Sequence, residues 1–563
     1  MNFCYCVGGT GARVAEVAAH LCAMNLADDQ DITFIIVDKD AECGGTDQAR
    51  KVIDSVAALA AVNLDGGVSL KRSTVIDPHA TKEFCKSDLS VESWDFTEAL
   101  RAVSPQGVTG AASLEASMSS TNQMLRESDA ILLDAFYSND EQNRDTSQGF
   151  YGHPSIGALI FKYMIKNGGW DNPSASYGDD IAAPVKYFLS KNAGQSARVF
   201  IIGSIFGGTG ASIFSNLAYH IRNSVNVNDR DRILMSGVLL LPYFTFVSSN
   251  NSLVDPTEFY AKSKVALEQY ANDKNLLKTA NNADGSFDSL YICGQDPLHT
   301  VAPYCHGGKD QKNHFNFVDL AAAKAMTEFF SKDEKSVSGG QIFEYRFDPT
   351  QGNTLQSVDF NNTDGIEQPI RAMLTFSSFV ITRIYGAFKL RANDPYNNRL
   401  IRMLYGTDMN EGVLKGHRPT LQYTNVVKEQ VEKTSRLVFG YCSSYIRFLR
   451  DIASNGHDWS YTGLNSHDAE YNFLNKSYLD ALDEIIQIID TEAPNVGNKV
   501  ETFIKRGDYL PNLTNGLTVE RIENAMEQIF RKAPDAYKNG DISPDQRIAD
   551  YIHEVFKFCY ANA

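Results

Sequence analysis

Val199-Phe200-Ile201-Ile202-Gly203 and, three residues on, Gly207-Gly208-Thr209-Gly210-Ala211-Ser212 decide how this chain is read. The first stretch is a continuous run of β-forming apolar residues, as a strand buried on both faces requires. The second breaks that run with glycines and opens a helical pattern with Ile213, Leu217 and Ile221 on one face. The chain begins in the same way. Phe3 to Val7 is apolar, Gly8-Gly9-Thr10-Gly11-Ala12-Arg13 turns it, and Val14, Val17, Ala18 and Leu21 recur at helical spacing. Ile32-Thr33-Phe34-Ile35-Ile36-Val37 is then a second buried strand, ending in Asp38. Strand, glycine turn, helix, strand predicts βαβ units and parallel pairing.

Working outward, further strands are expected at Ala130 to Leu133, Gly237 to Leu241 and Leu290 to Cys293. Strands alternate with helices through the first half of the chain, so the fold class is α/β, a Rossmann-like, mainly parallel sheet covered on both faces. The pattern weakens at about residues 66–128, which reads as an insertion rich in Ser, Thr and Gly. Leu320 to Phe330 is strongly helical and is followed by a polar break from Ser336 to Gly340. The final helix has Ser543 as N-cap, Pro544 in its first turn and Gln546 at the capping-box position. Its apolar face is Ile548, Tyr551, Ile552, Val555 and Cys559. The expected organisation is an α/β domain at 1–310, a central helix at 311–334, a second α/β domain at 335–425 and a helical region at 426–563.

Composition narrows the function classes. The 563 residues suggest about three domains. With 43% apolar and 21% charged residues, and 32 Phe and 26 Tyr among them, wholesale disorder is excluded. A net charge of −17 disfavours non-specific binding to nucleic acid or an anionic bilayer. The nine cysteines are scattered without zinc or disulfide spacing and read as buried, reduced thiols. Cys4 and Cys6 would share one face of a strand, too close in sequence for a usual metal or redox pair. The start lacks the basic flank and apolar stretch of a signal, and no run approaches 18 apolar residues, so a soluble, cytoplasmic chain without a transmembrane segment is expected.

The chemistry lies in the turns. Glycines allow positive φ and close backbone approach, so consecutive amides can face a ligand, while a helix N-terminus adds partial positive charge that suits phosphate oxygens. Thr209 and Ser212 add hydroxyl donors. A tight strand-to-helix turn also needs glycine for purely steric reasons, but two such turns in one sheet favour a shared ligand. A third segment, Gln148-Gly149-Phe150-Tyr151-Gly152-His153-Pro154-Ser155-Ile156-Gly157-Ala158, leads into another helix and is read either as a loop over a terminal phosphate or as an ordinary helix entry.

The N-terminal glycine turn, the acidic strand end, the middle Gly/Pro loop and Gly-Gly-Thr-Gly-Ala-Ser, in this order, resemble the tubulin/FtsZ superfamily in its divergent bacterial tubulin-like branch. The resemblance covers roughly residues 1 to 335. The superfamily's signature loop is Gly-Gly-Gly-Thr-Gly-Ser/Thr-Gly; here Phe206 precedes the match and Ile213 follows it. The resemblance implies a GTP/GDP site with Mg. Gly8, Gly9, Thr10 and Gly11 would form its first phosphate loop, with Asp38 and Asp40 near the nucleotide or its cation. Gly152 and Gly157 would lie by the γ-phosphate, and Gly207, Gly208, Thr209, Gly210, Ala211 and Ser212 would cradle the α and β phosphates. Asp255 or Glu258 would accept from the ribose, and Phe317 would stack on the base. Ala321 stands where tubulins carry a base-reading Asn. The hydrolytic acids of the superfamily reach the nucleotide of the next subunit; no clean match exists here, and Asp348, Asp359, Asp364 and Glu367 are candidates by order along the chain.

The expected function is therefore a GTP-binding protein that polymerises with itself head to tail into a filament and hydrolyses GTP on assembly, a cytoskeletal GTPase whose C-terminal helices are available to a protein partner. Two other readings stand beside it. One is a non-hydrolysing, nucleotide-gated interaction protein. The other is a short-chain NAD(P)-dependent dehydrogenase, in which Asp38 would hold the adenosine ribose and Tyr260 and Lys264 would be the proton-transfer pair, with Ser248 or Ser249 upstream.

Overall fold

The computed structural model describes residues 1–24, 26, 32–38, 40, 43–61, 92–95, 135–142, 149–150, 152–167, 181–247, 254–295, 298–301, 305, 307–311, 314–347, 367–385, 438–452, 483, 486, 517, 519–531, 542 and 544–562. The chain divides into two compact units, one of Met1–Leu21, Ala27–Asp54 and Thr74–Val358, the other of Cys22–Leu26, Ser55–Ser73 and Asp359–Ala563.

In the first unit the strands among the described residues are β1 (Asn2–Val7), β2 (Ile32–Asp38), β3 (Glu92–Asp95), β4 (Ala197–Ser204), β5 (Ile233–Leu240), β6 (Phe244–Phe246), β7 (Ser289–Gln295), β8 (His299–Val301) and β9 (Gln341–Phe347). Seven of them form one parallel sheet in the order β3-β2-β1-β4-β5-β7-β9, and β6 and β8 pair separately. The fold class is thus α/β with a Rossmann-type sheet. Every residue of β1, β2 and β5 is buried, which is why these strands read as unbroken apolar runs. Cys4 pairs with Phe34 on one side and Phe200 on the other, and its Sγ lies 3.6 Å from that of Cys6 on the same strand face.

The helices of this unit used here are α1 (Gly8–Ala23), α2 (Gly44–Ala61), α3 (Pro154–Asn167), α4 (Ala183–Lys191), α5 (Thr209–Ser224), α6 (Phe259–Asn272) and α7 (Phe317–Ser331). The central helix α7 lays Phe329 and Phe330 on Phe200 of β4, with ring centroids 5.4 and 6.1 Å apart. Arg198, at the start of β4, donates from one terminal nitrogen to the carbonyls of Phe329, Phe330 and Lys332 at 2.8, 3.1 and 2.8 Å. It satisfies carbonyls that the last turn of α7 leaves open and places a cation at the negative end of the helix. At the other margin of the sheet Arg222 of α5 is buried against Asp288 at 2.7 Å, and Asp288 also accepts from the Met235 amide.

The second unit, where described, is helical: α8 (Glu367–Phe379) runs into a wider turn at Val380–Tyr385, followed by residues 438–452, α9 (Val519–Arg531) and α10 (Pro544–Asn562). Phe376 meets Phe556 edge to face at 5.3 Å, and Phe530 meets Tyr551 at 5.6 Å, tying α8 and α9 to α10. The apolar face anticipated on α10 is buried throughout.

Two differences from the sequence reading have physical causes. Residues 341–347 were assigned to a second domain but form β9, because they pair in register with β7; the division between the units falls at Val358 and Asp359. Residues 92–95, inside the supposed insertion, extend the sheet as β3 beside β2. The strand expected at Ala130 to Leu133 lies outside the described residues, as does Ser543.

Two stability predictions follow from these contacts. Arg222→Met leaves Asp288 buried without its partner and is expected to lower unfolding free energy by about 3–5 kcal/mol, read as an earlier urea midpoint. His20 of α1 is fully buried, and burial pushes its pKa from 6.5 down to about 3. The unfolded chain therefore takes up a proton that the folded one refuses, so stability is full above the unfolded pKa and falls as pH drops below it. The urea midpoint should decline between about pH 6.5 and 5, and His20→Leu should remove that part of the slope.

Candidate functional site

The sheet order reverses direction between β1 and β4, so the chain leaves these adjacent strand ends toward different neighbours and a crevice opens at their C-terminal ends. A cleft, partly open to solvent, lies there. It is bordered by the first turns of α1 and α5, whose leading amides lack partners within their own helices.

Three loops meet in it. Gly8 has φ +71°, and a methyl group in its place would stand 3.3 Å from Cβ of Thr209 and 3.4 Å from the Gly210 nitrogen, so the first and second glycine turns touch. Gly149, with φ +109°, sits near the Thr209 hydroxyl, and both it and Gly152 line the cleft. Lys262 of α6 donates to the Gly152 carbonyl at 3.0 Å and pairs with Glu258 at 2.7 Å, which fastens this third loop. The fourth side is a strap before α7. The Gly308 amide donates to Asp40 Oδ2 at 2.6 Å, the Gly44 amide to the Gly308 carbonyl at 3.0 Å, and the Cys43 thiol to Gln311 Oε1 at 2.9 Å. Burial, with Asp38 and Asp40 beside it, pushes the Cys43 thiol up to about 11, so it is protonated at neutral pH.

The floor carries one cation. Arg13 is 8% exposed; its Nε donates to Asp319 Oδ2 at 3.3 Å and a terminal nitrogen donates to the Tyr243 hydroxyl. Tyr243 donates in turn to Asp319 Oδ1 at 2.7 Å, and Asp319 Oδ2 accepts from the Asn316 amide at 2.9 Å in the capping box of α7. Burial acts to lower the Arg13 pKa, but Tyr243 and Asp319 outweigh it and raise it. Burial raises the Tyr243 hydroxyl, opposed by Arg13 and reinforced by Asp319. Arg13 is thus always charged and Tyr243 always a neutral phenol. Phe206, Phe244 and Phe259 form an apolar wall beside them. Their ring centroids are 5.0 to 6.0 Å apart, and the Arg13 guanidinium carbon lies 5.8 Å from the Phe244 ring.

Residues 175–257, which carry β4, the Gly207 to Ser212 turn, α5 and β5, match the protein family described as tubulin like. That segment is similar to the tubulin-like family. No curated protein and no solved structure matches it.

Of the residues singled out from the sequence, Gly8, Gly9, Thr10, Asp38, Asp40, Gly152, Gly207, Gly208, Thr209 and Gly210 line the cleft. Others lie behind or outside its lining. Gly11 is there for close packing, since a methyl group would come within 2.6 Å of the Cys6 carbonyl carbon. Gly157 fills the contact between α3 and α5, 2.2 Å from Ser212 Oγ and 2.5 Å from the Phe150 ring by the same test. Ser212 turns back to donate to the Gly208 carbonyl at 2.5 Å, and Ala211 is beside it on α5. Glu258 is engaged with Lys262, while exposed Asp255 caps the turn at Thr257, whose hydrogen bonds lower its pKa. Phe317 is buried as the first residue of α7, and Ala321 is buried on the same helix. Glu367 heads α8 in the second unit; Asp348, Asp359 and Asp364 lie outside the described residues. Tyr260 and Lys264 are exposed on α6 and do not line the cleft.

Sequence reasoning missed Arg13, Ser204, Phe206, Phe244, Val254, Phe259 and Gln311 as lining residues. Arg13 carried a signal, a charge among Ala12, Val14 and Ala15 on a helix between buried strands. Gln311 carried none, because only tertiary folding brings its loop to Gly9. Among the described residues, no cluster of three or more His, Cys, Asp or Glu side chains suits a metal, and no helix is long and apolar enough to cross a membrane.

The buried triad generates a graded prediction. Asp319→Ala leaves Arg13 without its carboxylate and uncaps α7, for an expected loss of about 3–5 kcal/mol. Tyr243→Phe keeps the ion pair and is expected to cost about 1–2 kcal/mol. Urea unfolding of both variants checks the order.

Proposed function

We propose that the cleft binds a nucleoside triphosphate, GTP, together with Mg, and that the protein assembles head to tail with copies of itself, hydrolysing the nucleotide on assembly. What supports the reading is the meeting of three glycine turns at the C-terminal ends of β1 and β4, where backbone amides and two helix N-termini border one cavity. Gly8 to Thr10 and Gly207 to Thr209 would hold the polyphosphate. Glycine at position 8 fits this role: its φ of +71° is one that side-chain-bearing residues rarely adopt, and a Cβ there would be tight against Thr209.

The electrostatics require a cation. Asp38 and Asp40 line the cleft, and Arg13, the one cation of its lining among the described residues, is neutralised by Asp319. Polyphosphate would be repelled unless a divalent ion came with it, and Asp38 and Asp40 are the carboxylates of the cleft lining that would lie near that ion. Mg supplies charge neutralisation during phosphoryl transfer. The chain's own residues bind and orient; the acid that positions water is assigned to a neighbouring copy, with Asp359, Asp364 and Glu367 as candidates. A contact that joins the nucleotide face of one copy to a different face of the next does not close on itself and yields a filament. The net charge of −17 sets a repulsion between copies that salt or Mg relieves.

With GTP and Mg, light scattering should rise above a threshold protein concentration and phosphate release should increase more steeply than protein concentration. Flat scattering across nucleotides and salt sinks assembly, and absent phosphate release at every concentration sinks hydrolysis. Gly208→Trp should abolish nucleotide binding and both signals. Alanine at the water-positioning acid, among the three candidates, should stop phosphate release while assembly persists.

A further inference from the structure

The strap before α7 is a tight turn held at three points. The Gly308 carbonyl accepts from the Gln311 amide and from the Gly44 amide, each at 3.0 Å, so the turn is closed on itself and tied to the first residue of α2. The Gly308 amide donates to Asp40 Oδ2 at 2.6 Å. The Cys43 thiol donates to Gln311 Oε1 at 2.9 Å. Fastened in this way, Gln311 lies over the first glycine turn: a methyl group at Gly9 would stand 3.3 Å from its Oε1.

Two of these fastenings draw on one source, the negative charge of Asp38 and Asp40. The two residues are 7% and 5% exposed, and the Asp40 amide donates to Asp38 Oδ1 at 3.4 Å, which keeps them neighbours. A hydrogen bond from an amide to an ionised carboxylate is roughly twice as strong as one between neutral groups, so the Gly308 contact depends on the charge of Asp40. The Cys43 thiol stays a donor because burial, with Asp38 and Asp40 beside it, opposes its ionisation. A divalent cation taken up by these carboxylates would neutralise the charge behind both contacts. It would also share the carboxylate with the positive end of the Gly308 amide, and like ends repel. An anion arriving alone does neither.

We infer that residues 307–311 form a charge-sensing latch over the first glycine turn, which lets go of Asp40 and Cys43 when Asp38 and Asp40 take up a divalent cation. The inference rests on the reading that the cleft takes a polyphosphate together with such a cation. It adds an order of events, in which the cation unlocks the turn that the polyphosphate then occupies.

The test compares the full chain in excess EDTA and in Mg, first without nucleotide and then with GTP. One readout is the rate at which N-ethylmaleimide alkylates Cys43, which is 1% exposed; the other is deuterium exchange at the amides of residues 307–311. Mg should raise both by at least about fivefold and leave the alkylation of Cys4 and Cys6, in the sheet core, unchanged. Asp40→Asn keeps a carbonyl acceptor but removes the charge, and should show in EDTA the fast rates that the wild type shows in Mg. Should that variant misfold, the wild-type comparison decides alone. Rates that are unchanged or slower in Mg, with and without GTP, overturn the latch. Faster alkylation with unchanged amide exchange overturns it too, because the cation would then act only on the ionisation of the thiol. Calorimetric titration with GTP and Mg separates the two readings: GTP bound without release of the strap removes the latch and leaves the proposed function standing, whereas release by Mg with no GTP bound keeps the latch and removes that function.

Discussion

A carboxylate with no exposed surface holds this molecule's centre. Asp319 is tolerated there because three donors converge on it: the Arg13 guanidinium, the Tyr243 hydroxyl and the Asn316 amide. Each comes from a different part of the unit, so one buried charge fixes α1, the segment after β5 and the start of α7 relative to one another. It also sets the character of the cleft floor. Because Arg13 is balanced by Asp319, it adds little net charge to the cleft, which leaves the amides of the glycine turns and the aromatic wall to set its character.

The layered α/β core was legible because burial on both faces forces unbroken apolar runs, and the return from strand to helix forces glycine. The same physics limited the reading of the site. Gly11 and Gly157 are required by a strand carbonyl and by Ser212 and Phe150, and sequence alone cannot separate a glycine that makes room for a ligand from one that makes room for a neighbour. Arg13 was legible in principle, since a charge on a buried helix needs a partner; Asp319, more than three hundred residues away, could not be named as that partner. β9 escaped because Gln341, Ile342 and Glu344 are exposed at the sheet edge, which blurs the apolar run, and because it follows the central helix.

The departure from the signature loop at Phe206 has a structural counterpart. Its ring sits against Tyr243, Phe244 and Phe259, so the space released where a glycine would stand is filled by an aromatic cluster that also buttresses the buried tyrosine. The substitution joins the second glycine turn to the Asp319 network by direct ring contact. The second glycine turn and the aromatic wall are therefore not independent regions of the cleft, and a change at Phe206 reaches both.

The cap that Arg198 places on the carbonyls of α7 acquires a further meaning beside Asp319 at the opposite end of that helix. Both termini are pinned to strands or helices of the same sheet layer, and the rings of Phe329 and Phe330 in the last turn pack on Phe200. A rod held in this way resists bending and fraying alike. The two ends of α7, some four turns apart, are therefore each tied to the sheet by a buried or half-buried charge, so loosening either contact frees backbone groups at that end of the helix.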